Sequence, residues 1–444
     1  MASTLFHIPA EFAGMPVFGF GLLMGVWLVA SVAFLAWLAW RQGFNADTLG
    51  YIPVLLLIGA VIGWLLPVLS KEQGLPIRGY GVMMFLAVVA GTAMTVHRAK
   101  RIGIVPDTIF SLAFWMVLPG ILGARAFYVI EYWQPDFWPH YTSPDGGLGP
   151  LLASLLRIDE GGLVVYGSFF GAVAGMLFFV YKHRLPLLAL CDVLAPSMAL
   201  GLAIGRIGCL LNGCCYGAVC HHGWAVTFPQ GSPAYRSQAT RGQMYGFTLP
   251  TNPKADPVVQ AVEPDSPANL ANLERGDFLK AIFLKDVDKF EIVNTEDAYW
   301  VIEQAFAFRK PLKIELAKGG TIEIPAVPIP PRSLAVHPTQ IYSTIDGLVL
   351  CLLLLAYAPF ARRDGEVFAL MISIYPITRF LIEGLRTDEA AIGDTGMSIS
   401  QNVSIGLLLA AIALWVYISR QPKRRAESVI GRAKASTKPQ SAAK

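Results

Sequence analysis

Nine stretches of this chain are apolar for about the length that crosses a bilayer, and that repetition limits the fold more than any single motif. They lie near 17–40, 50–69, 79–96, 108–130, 163–181, 187–208, 343–360, 366–385 and 398–418. A membrane's hydrocarbon core takes about 20 apolar residues in a helix. No water reaches that depth, so backbone N–H and C=O groups need partners within their own segment, and a helix supplies them. Charged residues are 15% of the chain, against about 25% in a soluble domain. The first run, VFGFGLLMGVWLVASVAFLAWLAW, follows a segment without Lys or Arg. It is too long for a signal-peptide core of about 7–15 residues, so it reads as a retained span.

Basic residues set the expected orientation, because Lys and Arg beside spans stay on the cytoplasmic side. Arg98, Lys100 and Arg101 follow the third run, Lys182 and Arg184 the fifth, Arg362 and Arg363 the seventh, and Arg420, Lys423, Arg424 and Arg425 the ninth. These are alternate loops, so the chain is expected to have its N-terminus outside and its C-terminus inside. The loop 131–162 has five acidic residues and only Arg157 as counter-charge, which suits the outside. Lys71 and Arg78 fall on that side too and oppose the pattern, but four basic loops outweigh them. The tail from Arg420 is basic and poor in apolar residues, a composition expected of a solvated, disordered cytoplasmic segment near anionic lipid. A net charge of +4 gives no ground for a nucleic-acid partner.

The segment from about 209 to 342 is too polar for membrane and falls outside in this orientation. Within it VVQAV, FLKAIFL, LKIELA and TIEIPAV alternate with the helical stretch TEDAYWVIEQAFAF. The string VVQAVEPDSPANLANLERGDFLKAIF resembles a bacterial PDZ domain, matching at Pro264, Ser266, Pro267, Ala268, Gly276 and Asp277. That resemblance implies a peptide ligand bound by strand addition. The usual carboxylate-binding loop is not recognisable, and an inert insertion is the plainer alternative.

The string LGLAIGRIGCLLNGCCYG, 200–217, places Arg206 at the outer end of the sixth run among closely spaced glycines. A charge at membrane depth marks a functional-site hypothesis, whereas a lone Arg there is explained as well by snorkelling. Arg206 has company on the same face. Arg386 ends the eighth run, Arg78 and Tyr80 open the third, Tyr166 lies in EGGLVVYGSFFGA at the start of the fifth, and HPTQIY, 337–342, opens the seventh. Two arginines suit a phosphate group, which a guanidinium can hold bidentately. An anionic phospholipid headgroup is the expected ligand.

These motifs resemble those of bacterial prolipoprotein diacylglyceryl transferases. GRIGCLLNGCCYG follows the family's G-R-x-G-N-x-x-N-G-E-x-x-G at Gly205, Arg206, Gly208, Asn212, Gly213 and Gly217. IRGYG resembles its R-x-Y-G, HPTQIY its H-P-[ST]-Q-L-Y, IEGLRTDE its E-x-x-R-x-x-D, and SISQNVSI its G-Q-x-x-S. The resemblance covers most of 75–217 and 335–418. It implies transfer of a diacylglyceryl group from phosphatidylglycerol to the lipobox cysteine of a prolipoprotein, with no cofactor and no metal. Arg206, Arg386, Tyr80 and Tyr166 would be catalytic. Arg206, Arg386, Asn212, Gly213, Gly217, Gln340 and Arg78 would bind substrate, and membrane lipid would surround the site. The chain departs from the family where Tyr166 replaces a His, Cys209 an Asn and Cys214 a Glu. A non-catalytic relative that binds lipid or lipoprotein and recruits partners through its PDZ-like domain is the alternative.

Cysteines leave a further reading open. Cys209, Cys214, Cys215 and Cys220 precede His221 and His222, a set that suits disulfides, a metal ion or free thiols. The spacing fits no standard zinc motif, and bridging adjacent Cys214 and Cys215 would strain the bond. Cys191 and Cys351 read as packed apolar residues.

The expectation is a polytopic α-helical protein of the bacterial cytoplasmic (inner) membrane. It has about nine spans, seven of them the family core, and a small α+β PDZ-like extracytoplasmic insertion. In chain order, 1–72 holds two additional N-terminal spans, 73–245 the first part of the core and 246–330 the insertion. Residues 331–419 complete the core, and 420–444 form the tail.

Overall fold

The computed structural model describes residues 4–43, 51–70, 74–142, 147–156, 164–284, 289–387 and 396–423. Arg157, residues 160–163 of the EGGLVVYG string, Asp388, Glu389 and the tail beyond residue 423 lie outside the described residues.

Helices occupy each of the apolar runs. They are α1 (Leu22–Gln42), α2 (Ile52–Ala60, continued by a π-turn at Val61–Leu65 and by Leu66–Leu69), α3 (Gly79–Arg101), α4 (Pro106–Glu131), α5 (Val165–His183) and α6 (Leu187–Asn212). After a polar region come α9 (Thr339–Tyr357), α10 (Glu366–Glu383) and α11 (Ile399–Ser419). Among the described residues six helices are long and apolar enough to cross a membrane: α1, α3, α4, α6, α9 and α11.

The chain folds as two compact units, one holding Met83–Val117 and everything from Ala174 onward, the other Thr4–Val82 and Leu118–Val173. In the second unit a strand, β1 (Thr4–Ile8), pairs antiparallel with β2 (Leu75–Arg78), Thr4 opposite Arg78. Hydropathy gave no hint of this pair. Here too α4 and α5 meet along glycines. A Cβ on Gly167 would lie 2.3 Å from Gly123 O, and one on Gly171 2.1 Å from Pro119 O. Small residues let two helix backbones approach where lipid offers no hydrophobic drive. Arg125 of α4 donates to the carbonyls of Leu155 (3.0 Å) and Ser154 (2.7 Å), closing the end of the short helix Leu148–Leu156.

The first unit is built around α6. Gly347 of α9 crosses it so closely that a Cβ would sit 3.1 Å from Ala199 O and from Ala203 Cβ. Ala195, Ala199, Leu350, Cys351, Leu354, Val367 and Met371 fill this junction. Asp192 of α6, 1% exposed, accepts from Gly365 N–H (2.8 Å) and Phe368 N–H (2.9 Å) at the start of α10. Two amide donors and the positive end of a helix offset the cost of burying that carboxylate.

The polar region between α6 and α9 is an α+β body, in which a short antiparallel pair, β3 (Phe247–Thr248) and β4 (Ala261–Val262), comes first. Its four-stranded antiparallel sheet has β8 (Thr321–Ile324) beside β7 (Leu312–Leu316), then β5 (Leu279–Phe283) and β6 (Lys289–Glu291). β7 alternates buried and half-buried residues, the period of a strand with one face on a core. Helix α8 (Thr295–Ala307) begins with a capping box of Asn294 and Asp297, and Val301, Ile302 and Ala305 pack with Leu279, Ile282, Leu312 and Ile314. Tyr235 and Ala239 of α7 (Pro233–Thr240), with Tyr245, Phe247 and Leu249, belong to the same core, which therefore reaches back past residue 246. In the PDZ-like string, Ser266 and Asp277 hold turns. Ser266 caps a helical turn by accepting from Asn269 N–H (3.2 Å), and Asp277 accepts from Glu274 N–H (3.0 Å) and pairs with Lys318 (2.5 Å).

Candidate active site

Helix α6 stops at Asn212 because Gly213 enters the left-handed region at φ 76. Cys214 N–H then reaches back to Cys209 O (3.2 Å) and Gly213 N–H to Leu210 O (3.3 Å), the paired bonds of a Schellman ending. The chain leaving this cap is clamped by the HPTQ string. Gln340 Nε2 donates to Cys214 O (2.7 Å) and Thr339 Oγ1 to Cys215 O (2.6 Å), and both side chains are buried.

Gly217 is the crossing point of three motifs. Its N–H donates to His337 O (3.0 Å), it bridges to Arg386, and the next residue, Ala218, donates to Leu385 O (2.9 Å). The segment beyond continues against 335–337, with Cys220 N–H on Ala335 O (2.9 Å) and His337 N–H on Ala218 O (3.0 Å). His337 and Tyr342 share a contact at 3.4 Å, and Tyr342 OH accepts from Trp224 Nε1 (2.9 Å).

Around this frame the cations converge. Glu383 is buried between two arginines of its own helix end, accepting from Arg379 Nη1 and from Arg386 Nη1 (3.2 Å). Arg379 also donates to Ser400 Oγ (2.7 Å). The SISQ string has a structural basis here. Ser398 and Gln401 form a capping box at the start of α11, which sets Ser400 facing Arg379. Arg206 lies within electrostatic reach of Arg386, of Tyr375 and of the sulfurs of Cys209 and Cys215. Arg206 and Arg379 line one cavity with Leu202, Ser343, Asp346 and Tyr375. Its volume is about 10 Å³, room for one water. Asp346 accepts from Thr378 Oγ1 (3.0 Å).

The model of the family described as prolipoprotein diacylglyceryl transferase matches residues 67–417. The chain belongs to that family. A phosphatidylglycerol–prolipoprotein diacylglyceryl transferase of Rhodopirellula baltica is 31% identical over 93% of this chain and 88% of its own length. Proteins of the same name from Clostridium tetani and Shouchella clausii are 25% and 27% identical, over 78% and 76% of this chain and 95% and 84% of theirs. As a member of the diacylglyceryl transferase family with several membrane-crossing helices, the chain is a multi-pass inner-membrane protein.

Seen against the family motifs, Arg206, Arg386, Asn212, Gly213, Gly217 and Gln340 gather in the first unit. The resemblance implied substrate contact for Gly213, Gly217 and Gln340; in the structure each fixes backbone, as a helix cap, a crossing and a clamp. Tyr80, 40% exposed, and Tyr166 are each the second residue of their helices, and Arg78 ends β2; all three belong to the second unit. The four-cysteine cluster reduces to three. All six cysteines are unbridged, and the sulfurs of Cys209, Cys214 and Cys215 gather without Cys220 or either histidine.

Arg379 and Asp346 were not among the sequence candidates, and Glu383 entered only as the first letter of the family's E-x-x-R-x-x-D within the IEGLRTDE string. Each sits inside an apolar run, where an ionisable residue is itself a signal. The spacing Arg379–Glu383–Arg386 was readable as an i,i+4 pair at the end of a helix with an i,i+3 partner just past it.

Proposed function

We propose that this chain transfers the diacylglyceryl group of phosphatidylglycerol to the lipobox cysteine of prolipoproteins, in the bacterial cytoplasmic membrane. The observation that carries the reading is the cavity shared by Arg206 and Arg379, beside Arg386 and Glu383, in a member of this family. In the reaction the cysteine thiolate attacks the terminal glyceryl carbon, a C–S bond forms, the C–O bond to phosphate breaks, and glycerol phosphate leaves. The thiolate is the nucleophile, so the thiol proton must go to a base. Charge grows on the departing phosphate, and preorganised guanidinium groups stabilise it most where water is excluded.

Arg206 and Arg379 are assigned to the phosphate. Arg386 shares Glu383 with Arg379 but does not line the cavity, and it supports the pair through that carboxylate. Asp346, the carboxylate in the same cavity, is assigned to receive the thiol proton. Tyr80 and Tyr166 are placed with the acceptor on motif correspondence. A cavity of about 10 Å³ admits no phosphate, so headgroup entry must part the side chains around Arg206 and Arg379.

The topology that fits this chemistry has nine spans, the N-terminus and the active face outside the cytoplasm and the C-terminus inside. The α+β body is then extracytoplasmic. The strand–turn–helix order around Ser266 and Asp277 supports a PDZ-like module that binds a peptide.

The test is transfer by the purified protein. Phosphatidylglycerol and a lipobox peptide are supplied and the peptide mass is read. A diacylglyceryl adduct on cysteine is expected. Absence of an adduct from well-folded protein, beside an active family member, would replace this reading with a lipid- or lipoprotein-binding relative.

A further inference from the structure

The three cysteines that follow Arg206 are arranged for something the transfer reaction does not require. Their sulfurs all lie within 4.8 Å of one another. Sequence neighbourhood alone does not bring this about. Cys209 and Cys214 stand side by side because the Schellman ending returns the chain onto the last turn of α6. Cys215 joins them from a left-handed backbone, φ 58, a region that costs a non-glycine residue about 1–2 kcal/mol. Thr339 and Gln340, each 1% exposed, hold the carbonyls of Cys215 and Cys214 and so keep the strained turn in place.

A disulfide engages two sulfurs, and the Cys209–Cys214 pair would suffice for one. Three converging sulfurs are the donor set of a thiophilic ion. Sulfurs on a tetrahedral ion with bonds of about 2.3 Å stand about 3.8 Å apart, inside the observed limit of 4.8 Å. Charge also balances. Three thiolates around a dication carry one net negative charge, and the Arg206 guanidinium within reach of Cys209 and Cys215 offsets it. Beside the same turn, the buried Gln340 Oε1 accepts no hydrogen bond among the described residues.

We propose that Cys209, Cys214 and Cys215 form a trithiolate site for a thiophilic d10 metal ion such as zinc, which fixes the loop between Arg206 and Gly217. Binding replaces the three S–H protons, which leave to solvent, and no electron is transferred. The ion takes no part in group transfer. Its ligands stand at positions 209 and 214, where the family motif has Asn and Glu, and its role is to fix the turn that Thr339 and Gln340 clamp.

The test uses the full-length protein, purified in detergent, reduced, and freed of reductant under inert gas. Zinc is titrated against a chromophoric chelator, and cadmium is titrated in parallel to read sulfur-to-metal charge transfer in the ultraviolet. One ion per chain is expected, with a cadmium band of three-thiolate intensity. Cys209→Ser, Cys214→Ser and Cys215→Ser should each weaken binding by tenfold or more, on the order of what loss of even an outer-shell partner does. Cys220→Ser should bind as the unchanged protein does. The cadmium band of the unchanged protein keeps the test decisive if a variant misfolds. Reduced protein that binds no ion, binding that survives loss of all three cysteines, or a Cys209–Cys214 disulfide that persists when reductant and zinc are supplied together would each overturn the site.

Discussion

A β-carbon placed on Gly217 would lie 2.7 Å from the Cβ of His337 and 2.9 Å from Leu385 O. Only a glycine lets the chain after α6 pass between the HPTQ string and the end of α10. Gly217→Ala should therefore cost about 1–3 kcal/mol, the range for forcing a methyl into a packed site. Thermal unfolding of the purified protein reads the loss. Transfer should fall further than stability does, since the same crossing seats Arg386. An unchanged melting temperature would mean that the loop yields freely.

Arg206→Ala and Arg379→Ala should each lower transfer about 10²–10³-fold, the usual effect of removing one preorganised donor to a developing negative charge. Arg→Lys at either position should recover little, because a point charge lacks the planar fork. The lipobox peptide mass measures this, with chromatographic behaviour in detergent as the check on folding.

Glu383→Gln should destabilise strongly. It leaves the guanidinium groups of Arg379 and Arg386 buried without their carboxylate, and breaking such a pair costs about 3–5 kcal/mol. Glu383→Gln combined with Arg379→Gln should regain part of the stability without regaining transfer. A double-mutant cycle on unfolding gives the coupling between them.

In the α+β body, Lys280 (2.8 Å) and Lys289 (2.7 Å) hold the Glu315 carboxyl down to about 2 from its ordinary 4.5. A lowered folded-state pKa means the contribution is complete above about 4.5 and is lost as pH falls toward 2. Pepsin cleavage of the full chain within Leu279–Ile324 should rise over that window. Glu315→Gln should make the rise shallower.

The helices were legible because a bilayer leaves an apolar run of about 20 residues almost one outcome. Arg206 and the HPTQ and GLR strings were legible because a polar motif at a span end stands out against its surroundings. Arg379 and Asp346 lie within runs read as lipid-crossing, where apolar neighbours dominate any average; a charge at that depth was the readable signal, and the cavity they share is what the fold adds. β1 and β2 were invisible to hydropathy, since five- and four-residue strands carry little periodic signal. The part played by Tyr235 and Tyr245 in the core of the α+β body was missed for another reason. They precede the strand-like alternation, and only the folded chain returns them to it.

That shared core makes the body between α6 and α9 a graft whose cut edges do not lie where the strand pattern begins. Excising 246–330 would strip Tyr235 and Ala239 of their partners and leave α7 with an apolar face in water. The damage would spread, for Thr251 and Arg241 both donate to Thr387 O, one residue past Arg386, and the cut removes Thr251 together with Leu249, whose carbonyl also holds Arg241. An exchange of this body between relatives would have to carry residues 232–333 as one piece, and whatever tugs on it tugs on the end of α10.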